Sequence, residues 1–262
     1  MKRRNFLAGL GPLAAAPVAS FTNIHTTAEH EGQYLEWIKY ALPPGTNKKR
    51  TENYYQEAAI PALNKLGIKN IGVFNVMHGP NEPSLYVLIP HDNLDSLMTY
   101  QQKLLDDKTY GKAAKDFLES SISNPAYTRL EKGLMKAFKG MPRVEPAINT
   151  IGEQRIFEWR IYESHNYMKA QKKIDMFNEA GEIQIFRDTG LTPVFFGETL
   201  FGDLMPNLQY LLVFKDMNER NKSWETFIKS PQWAAIKDLE AYKDTVSNIS
   251  DIILRPAKCS QV

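Results

Sequence analysis

The sequence predicts an α+β fold made of two consecutive copies of one βαββαβ unit, which pack together as a pseudo-dimeric α+β barrel. Three observations support this prediction: an internal repeat at a nearly constant spacing, the same order of strand and helix patterns in both copies, and large apolar residues on both faces of each copy's first strand. The composition, with 43% hydrophobic and 24% charged residues in a chain of 262, is typical of a folded globular protein.

The internal repeat is clearest in the first strand of each copy. Four anchors and their counterparts 122 residues later are Leu35, Glu36, Trp37 and Tyr40, and Phe157, Glu158, Trp159 and Tyr162. Further pairs, at a spacing of 123 or 124 residues, are Gly67 with Gly190, Gly79 with Gly202, Tyr110 with Trp233, and Tyr86 with Tyr210. Because the anchors keep this spacing over about 75 positions, we infer a duplication, with one unit at 33–146 and the other at 154–256.

Both units give the same succession of patterns. The first strand is predicted at 33–42 and 155–164. The first helix is predicted at 46–66 and 166–189, and it ends where Gly67 and Gly190 can adopt the left-handed conformation of a C-cap; Pro61 is expected to kink the earlier helix. A hairpin follows at 68–77 with 85–89, and at 192–201 with 208–214. The second helix, at 93–106 and 218–229, precedes further helical sequence, at 125–139 in the first unit, and a last strand at 142–145 and 250–254.

This order is that of a ferredoxin-like unit, whose antiparallel sheet carries helices on one face only. The other face of each sheet would expose residues such as Tyr40 and Tyr162 to water, whereas burying apolar surface is favourable by about 25 cal/mol per Å². We therefore expect the two bare faces to pack against each other within one chain.

A candidate binding site lies on the strand face that we assign to the barrel interior. Its residues are Glu36, Tyr40, Glu158, Arg160 and Tyr162. A carboxylate, a guanidinium and phenols inside a barrel could bind or polarise a polar small molecule. The alternative is a buried ion pair of Glu158 with Arg160 that only stabilises the fold, and Ile38, at the position of Arg160, favours this alternative. Trp37 and Trp159 are expected on the helix-facing side as core residues.

In the second unit, Glu158, Trp159, Arg160 and Tyr162 follow the pattern Glu, apolar, Arg, any residue, Tyr, and in the first unit Glu36 and Tyr40 precede the turn Leu42, Pro43, Pro44, Gly45 and Thr46. The resemblance that these residues carry is to NIPSNAP domains, which open with a strand of this pattern followed by a Pro-Gly turn. It covers 154–256 in full, including the helical segment from Trp224 to Trp233, whereas the first unit is more diverged. The resemblance implies a dimeric α+β barrel related to antibiotic-biosynthesis-type monooxygenases, and it implies no particular reaction.

The first twenty residues resemble a twin-arginine signal peptide. Arg3 and Arg4 stand just before Phe6 and Leu7, and an alanine-rich apolar run, too short to span a bilayer, ends in small residues near position 20. We therefore expect export to the periplasm or another extracytoplasmic compartment and removal of residues 1–20. No later stretch has the length of a membrane-spanning helix, so we expect no transmembrane anchor in the mature protein.

No metal ion and no cofactor is predicted. The five histidines lack metal-ligand spacing, and His78 and His91 are interpreted as a turn residue and a residue beside a helix N-cap. Related barrels hold haem through an axial histidine, but no residue here is marked for that role. The lone Cys259 has no disulfide partner, and a net charge of +2 gives no nucleic-acid footprint. A homo-oligomer is left open.

Two functions remain from the sequence. The first is an exported protein that binds a small molecule inside its barrel or has a structural role. The alternative is a cofactor-free or haem-using monooxygenase-like oxidoreductase, in which Glu158, Arg160, Tyr162 or His78 would orient the substrate. Enzyme status is left open, because the chain has no phosphate-binding loop, nucleophile elbow or metalloprotease motif. A cavity of hundreds of Å³ between the sheets would favour a ligand, and a filled interface would favour a structural role.

Overall fold

Eight antiparallel strands, four from each half of the chain, close into a barrel in the computed structural model, which describes residues 31–43, 48–79, 83–147 and 154–262. We call 31–147 the first half and 154–262 the second half. The predicted signal peptide and the turn residues Pro44, Gly45 and Thr46 lie outside the described residues. The strands are β1 (Tyr34–Ala41), β2 (Gly72–His78), β3 (Ser84–His91), β4 (Arg129–Ala137), β5 (Ile156–Glu163), β6 (Thr192–Phe201), β7 (Asn207–Phe214) and β8 (Asn248–Pro256).

Helices cover the outside of the barrel. In the first half they are α1 (Lys48–Asn53), a π-helical segment (Tyr54–Ala59), α2 (Ile60–Lys65), α3 (Leu94–Asp106), α4 (Lys108–Ala113) and α5 (Lys115–Leu118). In the second half they are α6 (Tyr167–Asn178), α7 (Glu182–Asp188), α8 (Met217–Lys229), α9 (Pro231–Lys237) and a 3₁₀ turn (Glu240–Tyr242). Within the described ranges, none of these helices is long and apolar enough to cross a membrane.

The strand order around the barrel is β1-β3-β2-β8-β5-β7-β6-β4, and β4 pairs with β1 to close it. Each half therefore contributes a four-stranded sheet, β4-β1-β3-β2 or β8-β5-β7-β6, and the two sheets join where β2 meets β8 and where β4 meets β6. The cyclic order is unchanged when every strand is exchanged for its counterpart in the other half. The predicted α+β barrel is thus confirmed, and its closure leaves no sheet edge unpaired.

The helical segment predicted at 125–139 and the strand predicted at 142–145 are wrong. The last strand of the first half is β4, which pairs with β1 from Arg129 to Lys136 and with β6 from Leu134 to Ala137. Charged residues at four of its nine positions, Arg129, Glu131, Lys132 and Lys136, make this segment resemble a polar helix. Pairing with two strands that are distant in sequence decides its conformation, and local pattern does not contain that information.

Two further expectations need correction. The single helix predicted at 166–189 is broken at Gly181, whose φ of 81° separates α6 from α7. The match of Tyr86 with Tyr210 is also wrong, because Ile38 pairs with Val87 on β3 whereas Arg160 pairs with Tyr210 on β7. The counterpart of Tyr86 is consequently Gln209, which faces the barrel interior.

The predicted helix ends are confirmed. Gly67 and Gly190 have φ of 84° and 82°, a conformation in which any side chain would be strained. The chain reverses there through hydrogen bonds from the Ile68 amide to the Leu63 carbonyl (3.0 Å) and from the Leu191 amide to the Phe186 carbonyl (2.9 Å). In the earlier helix, the distortion expected near Pro61 takes the form of the π-helical segment, which ends just before the first turn of α2.

Three apolar clusters occupy the two sides of the barrel wall. The interior cluster combines both halves and contains Trp37 and Trp159. The other two lie between the sheet and the helices of one half each, with Ile38 and Tyr40 in the first and Tyr162 in the second.

The faces predicted from the sequence are therefore reversed. The residues that we assigned to the barrel interior lie under the helices instead: Glu36, Tyr40, Glu158, Arg160 and Tyr162. Trp37 and Trp159, which we expected under the helices, fill the interior. The physical reason is that a closed barrel buries both faces of β1 and β5, so alternation separates two faces without indicating which one carries helices.

Candidate functional site

A cavity of about 270 Å³ lies between the helices and the sheet of the first half, and we call it the tyrosine cavity. Its aromatic walls are Tyr40, Tyr54, Tyr55, Tyr110, Phe117 and Tyr127. Leu105, Leu118 and Leu130 line it as well, although each of these leucines is exposed to solvent. An aromatic cavity with an exposed apolar entrance is the usual form of a small-molecule site.

Four phenols of the wall are paired with one another. The hydroxyls of Tyr40 and Tyr55 lie 2.8 Å apart, as do those of Tyr54 and Tyr110, and the Tyr54 ring stacks on Phe117 with centroids 3.9 Å apart. Burial raises the pKa of Tyr40, Tyr54 and Tyr55, so these groups stay neutral. The wall is therefore apolar and held in place by its own hydrogen bonds.

A charged cluster adjoins the cavity. The buried Glu36 carboxylate accepts hydrogen bonds from the Tyr100 hydroxyl (2.6 Å) and the Lys132 ammonium (2.7 Å), and His91 Nε2 lies 3.6 Å from it. Tyr100 and Lys132 both line the cavity. The Lys132 side chain is 33% exposed, so its ammonium is accessible to a ligand.

The protonation states in this cluster follow from its geometry. Burial alone would raise the pKa of Glu36, but the contacts with His91, Lys132 and Tyr100, together with the positive charge of Lys132, outweigh burial and lower it. Burial and the adjacent Glu36 carboxylate raise the pKa of Tyr100. One end of the cavity therefore presents an ammonium and a neutral phenol, with the Glu36 carboxylate behind them.

Lys132 replaces the arginine that the first half lacks. Ile38 on β1 pairs with Lys132 on β4, whereas its counterpart Arg160 on β5 pairs with Asp251 on β8. The cation has thus moved to the neighbouring strand while the buried glutamate has stayed. Sequence reasoning missed Lys132 because the register of β1 with β4 was not known.

The second half has an equivalent cluster, in which three donors surround the buried glutamate. The Glu158 carboxylate, which has no exposed side-chain surface, accepts hydrogen bonds from Arg220 (2.5 Å), Trp224 (2.7 Å) and Arg160 (3.5 Å). The Arg160 guanidinium lies over the Trp224 ring at 4.3 Å. These contacts match the structural ion pair that the sequence left as the alternative for Glu158 and Arg160.

Two substitutions between the halves place a larger side chain in the second half. Helices α3 and α8 have the same length and begin after the N-caps Asn93 and Asp216, so Gln101 corresponds to Trp224. Likewise Tyr110 corresponds to Trp233. A comparison of side-chain size between the two repeats could have found this signal in the sequence.

The structure thus divides the predicted site residues between two clusters. Tyr40 lines the tyrosine cavity, and Glu36 lies behind Tyr100 and Lys132. The other three, Glu158, Arg160 and Tyr162, belong to the packed second half, where the hydroxyl of Tyr162 accepts a hydrogen bond from Tyr210. Their role in binding stays a prediction. The functional candidates that the sequence did not indicate are Tyr100, Lys132 and His91.

Haem held by an axial histidine does not fit the tyrosine cavity. Of the histidines in the described ranges, His78 and His165 are exposed, and none lines the cavity. His91 has no solvent exposure, and its Nδ1 lies 3.1 Å from the Ser96 hydroxyl. Among the described residues, no three histidine, cysteine or acidic side chains converge on a common metal position.

Two solved structures share the fold over most of the chain. A presumed monooxygenase from Fusobacterium nucleatum has a TM-score of 0.58 and 9% identity, and the match covers 87% of this chain and 94% of that one. A presumed monooxygenase from Lactobacillus acidophilus has a TM-score of 0.54 and 11% identity, with 86% and 94% covered. Comparison with curated proteins gives no match. These likenesses establish the barrel fold.

The family is indicated by the sequence of both halves. An uncharacterised NIPSNAP-like domain protein from Burkholderia xenovorans is 20% identical, with a TM-score of 0.36, over 40% of this chain and 88% of that one. The NIPSNAP family profile matches residues 35–126 and 157–261, one segment in each half. Together these segments make up most of the chain, which therefore belongs to the NIPSNAP family.

Proposed function

We propose that this protein is exported by the twin-arginine route and binds a small molecule in the tyrosine cavity of its first half. The observation that carries the binding proposal is the difference between the halves: Trp224 packs the second half, whereas Gln101 at the equivalent position leaves a cavity of about 270 Å³. Unfilled apolar volume costs stability. A cavity kept in one repeat and filled in the other is therefore best explained by a ligand.

The lining defines the chemistry of this ligand. Neutral aromatic walls favour a flat, apolar body. Of the three protons on the Lys132 ammonium, one is donated to Glu36, and the Tyr100 oxygen lies 3.5 Å away at the limit of a second bond. A donor on Lys132 is thus left for an oxygen of the ligand. We expect an aromatic molecule that bears a hydrogen-bond acceptor oxygen, either a carbonyl or an anionic oxygen such as that of a phenolate.

Replacement of Gln101 by Trp tests the site, because it introduces the side chain that fills the second half. We expect this variant to bind the anionic aromatic probe 1-anilinonaphthalene-8-sulfonate about tenfold or more weakly than the parent protein, as measured by the probe's fluorescence. The matched control is Gln102→Trp, which places the same ring on the next residue of α3, where Gln102 is exposed and does not line the cavity. Equal affinity in both variants would contradict the site.

An oxidoreductase that acts in the same cavity is the second candidate. The observation that favours it is Lys132, whose ammonium is placed to stabilise the anionic form of a bound phenol or enol. Two proteins with a similar fold are named as presumed monooxygenases, and the likeness to them is one of fold. Dioxygen consumption by the ligand-bound protein that disappears in Lys132→Met would favour this candidate over binding alone.

The export proposal predicts a defect when both signal arginines are replaced. Arg3→Lys combined with Arg4→Lys is expected to leave the chain in the cytoplasm with its N-terminus intact, because the signal is read by a receptor that requires the arginine pair. Cell fractionation and the intact mass of the chain measure both effects. The matched control is Lys2→Arg, which keeps the basic start and the pair. Normal export of the twin-lysine variant would rule out this route.

A further inference from the structure

A second cavity, of about 340 Å³, opens at one mouth of the barrel, on the opposite face of the sheet from the tyrosine cavity. We call it the mouth cavity. Cross-strand pairs align its lining residues in two equivalent sets of three, one from each half: Lys39, Tyr86 and Glu131, and Ile161, Gln209 and Ser250. Trp37 and Trp159, two residues further in along β1 and β5, form its floor.

The space in the mouth cavity comes from the second half. Ile161, Gln209 and Ser250 occupy the positions of Lys39, Tyr86 and Glu131, and each is the smaller member of its pair. The floor is fixed by close packing, because a Cβ atom on Gly133 would come within 2.2 Å of Trp37 Nε1. The indole of Trp37 therefore lies flat over Gly133 and leaves the volume above it unfilled.

The charged groups of the mouth cavity are paired with each other, and its lysine is less accessible than Lys132. The Lys39 ammonium and the Glu131 carboxylate form an ion pair at 2.8 Å, and the Lys39 side chain is 11% exposed, against 33% for Lys132. Asp203 is at the exposed rim. A ligand with a formal charge would give up hydration without meeting a free buried counter-charge. The cavity therefore favours an uncharged ligand.

Two lining groups of this cavity have no hydrogen-bond partner among the described residues: the buried Trp37 Nε1 and the Tyr86 hydroxyl. Tyr86 is buried, with 7% of the residue exposed, and the centroid of its ring lies 5.8 Å from that of the Trp159 ring. Its hydroxyl makes no hydrogen bond within the described part of the chain. Burial, together with the charge of Glu131, raises the pKa of Tyr86 to about 12. The hydroxyl is therefore a neutral group that can donate or accept one hydrogen bond.

We propose that the mouth cavity is a second binding site, for an uncharged aromatic or polycyclic molecule with one polar group that bonds to the Tyr86 hydroxyl. Tyr86 and Trp159 provide the aromatic contacts, and Ile252 and Leu204 provide aliphatic ones. The site does not depend on the tyrosine cavity, because the barrel wall separates the two.

The test uses a pair of probes that differ only in a sulfonate group. Uncharged N-phenyl-1-naphthylamine is expected to bind saturably with an increase in fluorescence, and its anionic relative 1-anilinonaphthalene-8-sulfonate is expected not to displace it. Titrations are made in the Gln101→Trp background as well as in the parent protein. Binding of the uncharged probe that survives Gln101→Trp lies outside the tyrosine cavity, and the Ser250 variants then decide whether it lies in the mouth cavity.

Ser250 is the position at which the mouth cavity can be filled. Ser250→Trp is expected to weaken binding of the uncharged probe by about tenfold or more, and Ser250→Leu, which fills less of the cavity and disturbs the fold less, by a smaller factor. The matched control is Ile249→Trp, on the same strand but on the opposite face, where Ile249 is 45% exposed. In the Gln101→Trp background, no saturable binding, displacement by the anionic probe, or equal affinity in the Ser250 and Ile249 variants would overturn the proposal.

Discussion

Replacement of Lys173 by Met is expected to lower the free energy of unfolding by about 3–5 kcal/mol. Lys173 and Glu182 are 4% and 2% exposed, and the Lys173 ammonium donates to both carboxylate oxygens of Glu182, at 3.0 and 2.7 Å. Removal of the cation leaves a buried carboxylate with no compensating charge. Urea-induced unfolding of the parent and the variant measures the loss.

The pH dependence of this loss has a definite sign. Burial raises the pKa of Glu182 above its ordinary value of 4.5, although Lys173 opposes the shift. When folding raises the pKa of a carboxyl, the native state loses stability as pH rises from the carboxyl's pKa in the unfolded chain to its pKa in the folded chain. Without Lys173 the pKa of Glu182 in the folded chain is higher still, so this pH range extends upward. The variant should therefore be least stable, relative to the parent, near neutral pH and should recover as pH falls towards 4.5.

The double variant Lys173→Met with Glu182→Leu is the control for this prediction. It removes both charges, and replacing a buried ion pair by apolar side chains is often neutral or stabilising. Most of the lost stability should therefore return. A single variant as stable as the parent, or a double variant less stable than the single one, would contradict the account of this pair.

Replacement of Glu158 by Leu is expected to cost about 3 kcal/mol of unfolding free energy. Its carboxylate accepts hydrogen bonds from Arg160, Arg220 and Trp224, and all four side chains are buried or partly buried. The loss leaves two guanidinium groups without their carboxylate and an indole N–H without its acceptor. Guanidinium- or urea-induced unfolding measures it.

Glu163 offers a control on the same strand. Glu163 is half-buried on β5 and accepts a hydrogen bond from Asn248 at 2.7 Å. Glu163→Gln should change the unfolding free energy by no more than about 0.5 kcal/mol. If Glu158→Leu were equally mild, the second-half cluster would not be the structural element that its geometry indicates.

The fold could be predicted because the repeat places residues with strict conformational requirements at matching positions. Gly67 and Gly190 both adopt the left-handed conformation that the sequence pattern predicts, and the two helices therefore end alike. The barrel could be predicted because the sheet of each half has apolar residues on both of its faces. By contrast, β4 could not be recognised, because its pairing with β1 and β6 is a long-range property.

The candidate site was predicted only in part. Glu36 and Tyr40 do belong to it, but the sequence placed them on the wrong side of the barrel wall, because both sides are buried. Lys132 and Tyr100 reach Glu36 from β4 and α3, elements that are distant in sequence. The cavity in the first half depends on the size difference between two equivalent residues, Gln101 and Trp224. Their equivalence can be recognised only once the two helices are aligned.

Native mass spectrometry of the protein purified from its own compartment tests the central claim most directly. The account predicts a bound small molecule on the parent protein and on Gln102→Trp, and its loss from Gln101→Trp. A bound molecule that remains on Gln101→Trp, or a parent protein that carries no ligand, would contradict the assignment of the tyrosine cavity as the binding site.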